Sequence, residues 1–179
     1  MQAALRPSIF RASLRPLGVA AVACFLADGP ARTQETGCAA FAWQLEREYA
    51  LLSAPESALL ETGASIRVGE AASVALRPMG DAVFVKPPER QPKFTPSYGA
   101  ALTFEAPARG LYQVTLSEDA WLDALQAAAF IRSNAFSGKQ GCPGMRKSVR
   151  FELAQGPAVV QISGAPARQI RIVVTPADR

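Results

Sequence analysis

The chain has 179 residues, 49% hydrophobic and 19% charged, which suits one domain with a hydrophobic core and does not suit a disordered tail. Its formal charge is +4, too mild for the concentrated basic face of a nucleic-acid binder, so nucleic acid is not an expected partner. It contains no histidine, which removes Ser–His and Cys–His nucleophile pairs, the two-His-one-carboxylate iron site of oxygenases and the usual catalytic zinc sites.

Residues 1–31 read as a signal peptide. Arg6, Arg11 and Arg15 give a positive start with no acidic residue among them. The stretch from Leu17 to Ala27 is apolar, uncharged and too short to span a bilayer. Gly29-Pro-Ala31 then presents small residues where a signal peptidase cuts, so cleavage is expected after Ala31. Without that segment the net charge falls to about +2, because three arginines leave together with Asp28. Two other readings remain open: a buried N-terminal helix of a cytosolic protein, or a lipobox at Ala21-Val-Ala-Cys24 with Cys24 lipidated. Nothing later in the chain is long and apolar enough to be a transmembrane helix.

Residues 32–64 form an N-terminal extension that begins with a short flexible leader. Phe41, Trp43 and Leu45 alternate as in a strand, while Leu45, Tyr49 and Leu52 fit a short helix that would turn Glu46, Arg47 and Glu48 to solvent. Ser53-Ala-Pro-Glu56 suits a further helical turn, ending near Gly63, because proline is tolerated at a first helical position.

From residue 65 to 179 short apolar runs recur between turn signals, the pattern of an antiparallel β-sandwich. The expected strands are 73–77, 83–86, 98–104, 111–116, 148–153, 158–162 and 169–174. Tyr112, Val114 and Leu116 share one face, as do Val149, Phe151 and Leu153, and Ile170, Ile172 and Val174. Such alternation implies one buried and one wet face. Residues 87–96 carry four prolines, hence few backbone donors, and read as an extended surface loop. Residues 118–130 are helical by propensity, with Ser117 as N-cap. The competing reading, a hairpin about Ala127-Ala128, is preferred because strands precede and follow it. Ser137-Gly-Lys139 lacks the earlier glycine of a phosphate-binding loop and reads as a turn.

Once Cys24 leaves with the signal, Cys38 and Cys142 remain, and an oxidising compartment would join them in a disulfide. Two unrelated buried thiols are the alternative.

Four stretches together resemble bacterial pre-peptidase C-terminal domains: Gly110-Leu-Tyr-Gln-Val-Thr-Leu116, Trp121-Leu-Asp123, Val149-Arg-Phe-Glu-Leu-Ala-Gln-Gly156 and Val159-Val-Gln-Ile-Ser163. The resemblance spans residues 98–175 and implies a jelly-roll-like β-sandwich, although the peptidase of that family does not accompany it here. The chain is also similar to small exported proteins of unknown role that carry a stretch like Gly141-Cys-Pro-Gly144. Some of these bear an automatic homogentisate dioxygenase label, for which this chain lacks histidine ligands.

No cofactor, metal ligand set or catalytic residue is expected. Arg90 and Lys93 in the proline-rich loop, with Arg146, Lys147 and Arg150, make a candidate binding surface for an anionic or glycan envelope polymer, or for an envelope protein. Glu118, Asp119 and Asp123 form a candidate acidic cluster, read as a solvated turn or as the carboxylates of a hydrolase. Trp43 and Trp121 are core residues or sugar-stacking platforms. The expected protein is thus an exported, periplasmic or secreted β-sandwich serving as a non-catalytic binding or structural module. A carboxylate-dependent glycan hydrolase and a lipoprotein accessory subunit are the alternatives.

Overall fold

The computed structural model describes residues 37–55 and 58–177, so the signal-peptide and lipobox expectations lie outside the described residues. A 3₁₀ turn, Gly37–Ala40, leads into α1, Glu46–Ser53. Eleven strands follow: β1 Ala58–Leu60, β2 Ala71–Ala75, β3 Arg77–Pro78, β4 Tyr98–Ala106, β5 Gly110–Leu116, β6 Trp121–Gln126, β7 Ala129–Ile131, β8 Ser133–Gly138, β9 Lys147–Leu153, β10 Gly156–Ala165 and β11 Gln169–Pro176. They build a six-stranded sheet in the order β1-β2-β11-β5-β9-β8 and a five-stranded sheet in the order β3-β4-β10-β6-β7. All pairings are antiparallel except β1 with β2. The fold is therefore a mainly-β sandwich with one short helix, as the alternation implied.

The sandwich forms because each long strand offers one apolar row. Tyr112, Val114 and Leu116 of β5 and Val149, Phe151 and Leu153 of β9 meet Leu102 and Phe104 of β4 and Val160 and Ile162 of β10 in one buried core. Ile170, Ile172 and Val174 of β11 join the same core. Each such side chain contributes about 1.5–3 kcal/mol on burial, so this inner layer is what holds the two sheets face to face. The Tyr112 hydroxyl also donates to the Ala108 carbonyl at 2.8 Å, fastening the turn between β4 and β5 to the core.

The hairpin reading of residues 121–131 holds, against helix propensity. β6 and β7 pair with Gln126 opposite Ala129, and the two turn residues, Ala127 and Ala128, have φ of 47° and 58°. Positive φ at both central positions is what a two-residue hairpin needs to match strand twist, although alanine is an unusual choice for it.

Several expectations are corrected. Residues 83–86 form no strand, because the N–H groups of Val85 and Lys86 go to the Gln161 side chain and prolines follow directly. Ser137 and Gly138 belong to β8, an edge strand of small polar residues whose composition carries little β signal. The helix stops at Ser53 and the chain is extended again by Ala58, within what reads from sequence as a helical extension.

The outer face of the six-stranded sheet is also not wet. Gln113, Thr115, Ser148 and Thr175 are buried there, with the Thr115 and Ser148 hydroxyls 2.9 Å apart. The N-terminal segment covers them. Phe41, Leu45 and Leu52 pack with Cys142, Met145 and Val173 into a second apolar cluster. The Cys38–Cys142 disulfide, with Cα atoms 4.6 Å apart, ties the start of this segment to the loop before β9. Glu48 was expected in solvent but is 2% exposed. Its Oε1 accepts from the Thr175 hydroxyl at 2.5 Å and from Arg47 at 2.9 Å, while Arg47 also donates to the Pro176 carbonyl at 2.6 Å.

Candidate functional site

The outer face of the five-stranded sheet is polar where β6 and β10 run side by side. Gln161 lies opposite Asp123 and Ser163 opposite Trp121, and each of the four alternates with a core residue on its own strand. This row holds the proline-rich loop. The Gln161 Oε1 accepts from the backbone N–H of Val85 at 2.7 Å and of Lys86 at 3.2 Å, and its Nε2 donates to the Lys86 carbonyl at 3.0 Å. Asp123 accepts from the Glu89 N–H at 3.2 Å and from the Trp121 indole at 2.5 Å. Two buried polar side chains thus replace the ladder partners that the loop lacks. Gly164, at φ 68°, completes the seat: a Cβ there would stand 3.3 Å from the Pro92 Cα, so the loop and β10 approach closely.

Pinned this way, the loop brings Arg90 and Lys93 to a cleft whose other side is Asp119, Ala120, Trp121 and Lys147, with Ser163 and Gly164 at its base. Arg90 stands 4.6 Å and Lys147 5.4 Å from the centre of the Trp121 ring. The Lys147 Nζ donates to the Ala120 carbonyl at 2.5 Å and lies 3.9 Å from an Asp119 oxygen, beyond hydrogen-bond range. Burial pushes the Lys147 ammonium below the ordinary lysine value; Asp119 opposes this, and Lys93, Arg146 and Arg90 add to it. Four cations therefore act on one small volume that Asp119 alone balances among the groups acting on Lys147.

Three of the five basic candidates, Arg90, Lys93 and Lys147, line this cleft, and Arg146 acts on Lys147 from the preceding position. Arg150 does not join them. It points from β9 to the outer face of the other sheet, where its guanidinium lies 4.3 Å from the Trp43 ring and donates to Gln113 at 3.1 Å. Trp43 packs against the apolar cluster beneath the N-terminal segment, and its indole N–H has no partner among the described residues.

The acidic candidates disperse. Only Asp119 lines the cleft; Glu118 is half-buried in the turn before β6 and does not line it. Asp123 is buried, not part of a solvated turn, and both its oxygens are engaged in holding Trp121 and the loop. Burial raises its carboxyl above the usual range, and the Trp121 and Glu89 hydrogen bonds only partly offset that. Among the described residues no three His, Cys, Asp or Glu side chains gather as a metal site, and no helix is long and apolar enough to cross a membrane.

Sequence reasoning missed Gln161 and Ser163. The signal was the polar spacing Gln161-Ile-Ser163, two polar positions on one face of a strand that was expected to stop at residue 162. No protein-family model, curated protein or solved structure matches the chain.

Proposed function

We propose that the protein is an exported, non-catalytic β-sandwich module of the cell envelope that binds an acidic polymer through the cleft beside Trp121. The observation that carries this reading is the convergence of Arg90, Lys93 and Lys147 on one cleft from two distant parts of the chain. Cations gathered against a rigid sheet favour an anionic ligand and speed its capture. The Cys38–Cys142 disulfide supports an oxidising destination.

The hydrolase alternative draws less support. A glycosidase needs two carboxyl groups flanking the bond to be cut, one acidic and one ionised. Here Asp119 is the one carboxylate among the residues lining the cleft, and both oxygens of Asp123 are engaged by Trp121 and the Glu89 N–H.

The test is binding of oligogalacturonate, an acidic glycan, by the disulfide-bonded protein at rising salt. Binding that weakens with salt and drops at least about tenfold in the double variant Arg90→Glu, Lys93→Glu supports the reading. Unchanged binding in that variant overturns it. Mass spectrometry of the N-terminus of envelope-derived protein separates the lipoprotein form, diacylated at Cys24, from the cleaved one.

A further inference from the structure

The base of the cleft holds an atom that the fold leaves unused. Ser163 is 1% exposed, and its buried hydroxyl has no hydrogen-bond partner among the described residues although the residue lines the cleft. Buried hydroxyls are nearly always paired, so an orphan at the base of a cationic cleft points to a ligand atom or a tightly held water. We propose that Ser163 and Lys147 form an oxyanion subsite that receives one terminal acidic group, a carboxylate or a phosphate; this rests on the acidic-polymer reading above.

The geometry fits that role. Lys147 uses one ammonium donor on the Ala120 carbonyl, and its 3.9 Å separation from Asp119 leaves donors for an incoming oxygen. Ser163 sits directly across the β10–β6 ladder from Trp121, so hydroxyl and ring share the same face. The space open to water-sized atoms in the cleft is about 40 Å³, room for a few of them and less than a sugar ring needs. An end group therefore enters, while the polymer behind it stays outside, along the exposed side chains of Arg90 and Lys93.

Calorimetric titration of the disulfide-bonded protein with oligogalacturonate, with inorganic phosphate and with neutral maltooligosaccharide tests the subsite. Ser163→Ala removes an atom without a protein partner, so its Tm should match that of the parent. Its affinity for the acidic probe should fall about tenfold, as for a hydrogen bond to a charged group. Lys147→Met should weaken binding further, and maltooligosaccharide should not bind. Ser163-dependent binding of oligogalacturonate assigns the group as a carboxylate, and of phosphate as a phosphate. If Ser163→Ala and Lys147→Met both bind as the parent does while salt still weakens binding, the subsite is overturned and the broader reading stands. If neither acidic probe binds the parent, both fall.

Discussion

Glu48 shows how a single carboxylate fastens one element to another. Burial by itself would raise its pKa, but hydrogen bonds from Thr175, Gln113 and Arg47 outweigh burial and hold it below the ordinary 4.5. A carboxyl with a depressed folded value contributes stability that is fully present above the unfolded value and is lost as pH falls through the folded one. Asp123 runs the other way: its folded value is raised, so the penalty for its charge disappears as pH falls toward 3.8. The acid limb of unfolding should therefore belong to Glu48. In urea melts, Glu48→Gln should lower stability at pH 7 by about 1–3 kcal/mol and flatten its fall toward pH 3, whereas Asp123→Asn should leave that acid limb intact. An unchanged acid limb in Glu48→Gln would count against this account.

The segment at residues 37–53 is an element that cannot stand alone. An eight-residue helix is marginal in water, and α1 has no side-chain cap at its N-terminus. It is held by the apolar cluster of Phe41, Leu45 and Leu52, by Glu48 and by a disulfide spanning 104 residues. In the chain-entropy account a loop of that length is worth about 4.7 kcal/mol. Cys142→Ser should lower Tm and speed amide exchange at residues 38–54 before the β5–β11 ladder; exchange lost uniformly across the protein would contradict a separately docked segment.

The β6–β7 hairpin offers a converse experiment. Ala127 and Ala128 hold positive φ without the residues that favour it. Exchanging them for Asn and Gly respectively should raise stability by about 1–2 kcal/mol without moving the Gln126–Ala129 pairing. No gain in the melt would mean that the turn is held by its neighbours and not by local preference. Gln161→Leu acts on the loop instead. It removes the bonds that hold Val85 and Lys86, so proteolysis at residues 83–94 should accelerate and binding in the cleft should weaken, with the sheets intact by circular dichroism.

At the scale of the whole molecule both sheets are covered on their outer faces, one by the N-terminal segment and one by the proline-rich loop. The two coverings differ in chemistry. The first is apolar and sealed by a disulfide; the second is polar, hydrogen-bonded through Gln161 and Asp123, and leaves the cationic cleft at its margin. The proposed export concerns the whole chain as well. Protein recovered from the envelope should begin at Arg32; an intact Met1 would overturn that expectation.

By itself the sequence determined the sandwich and its staple. The rows through Tyr112, Val149 and Ile170 specify a buried face at period two, and Cys38 and Cys142, the two cysteines outside the expected signal peptide, are joined in a disulfide. Absent histidine also settled which chemistries the chain cannot perform. Tertiary structure decided what lay on the outer faces. Glu48 and Asp123 read as solvated because polarity along a strand or helix marks the side turned from the first layer, and a second covering layer leaves no periodic trace. Lys147 and Arg150 part for a related reason: three residues along β9 change which face a side chain leaves by, and only the folded ladder shows which face meets the loop.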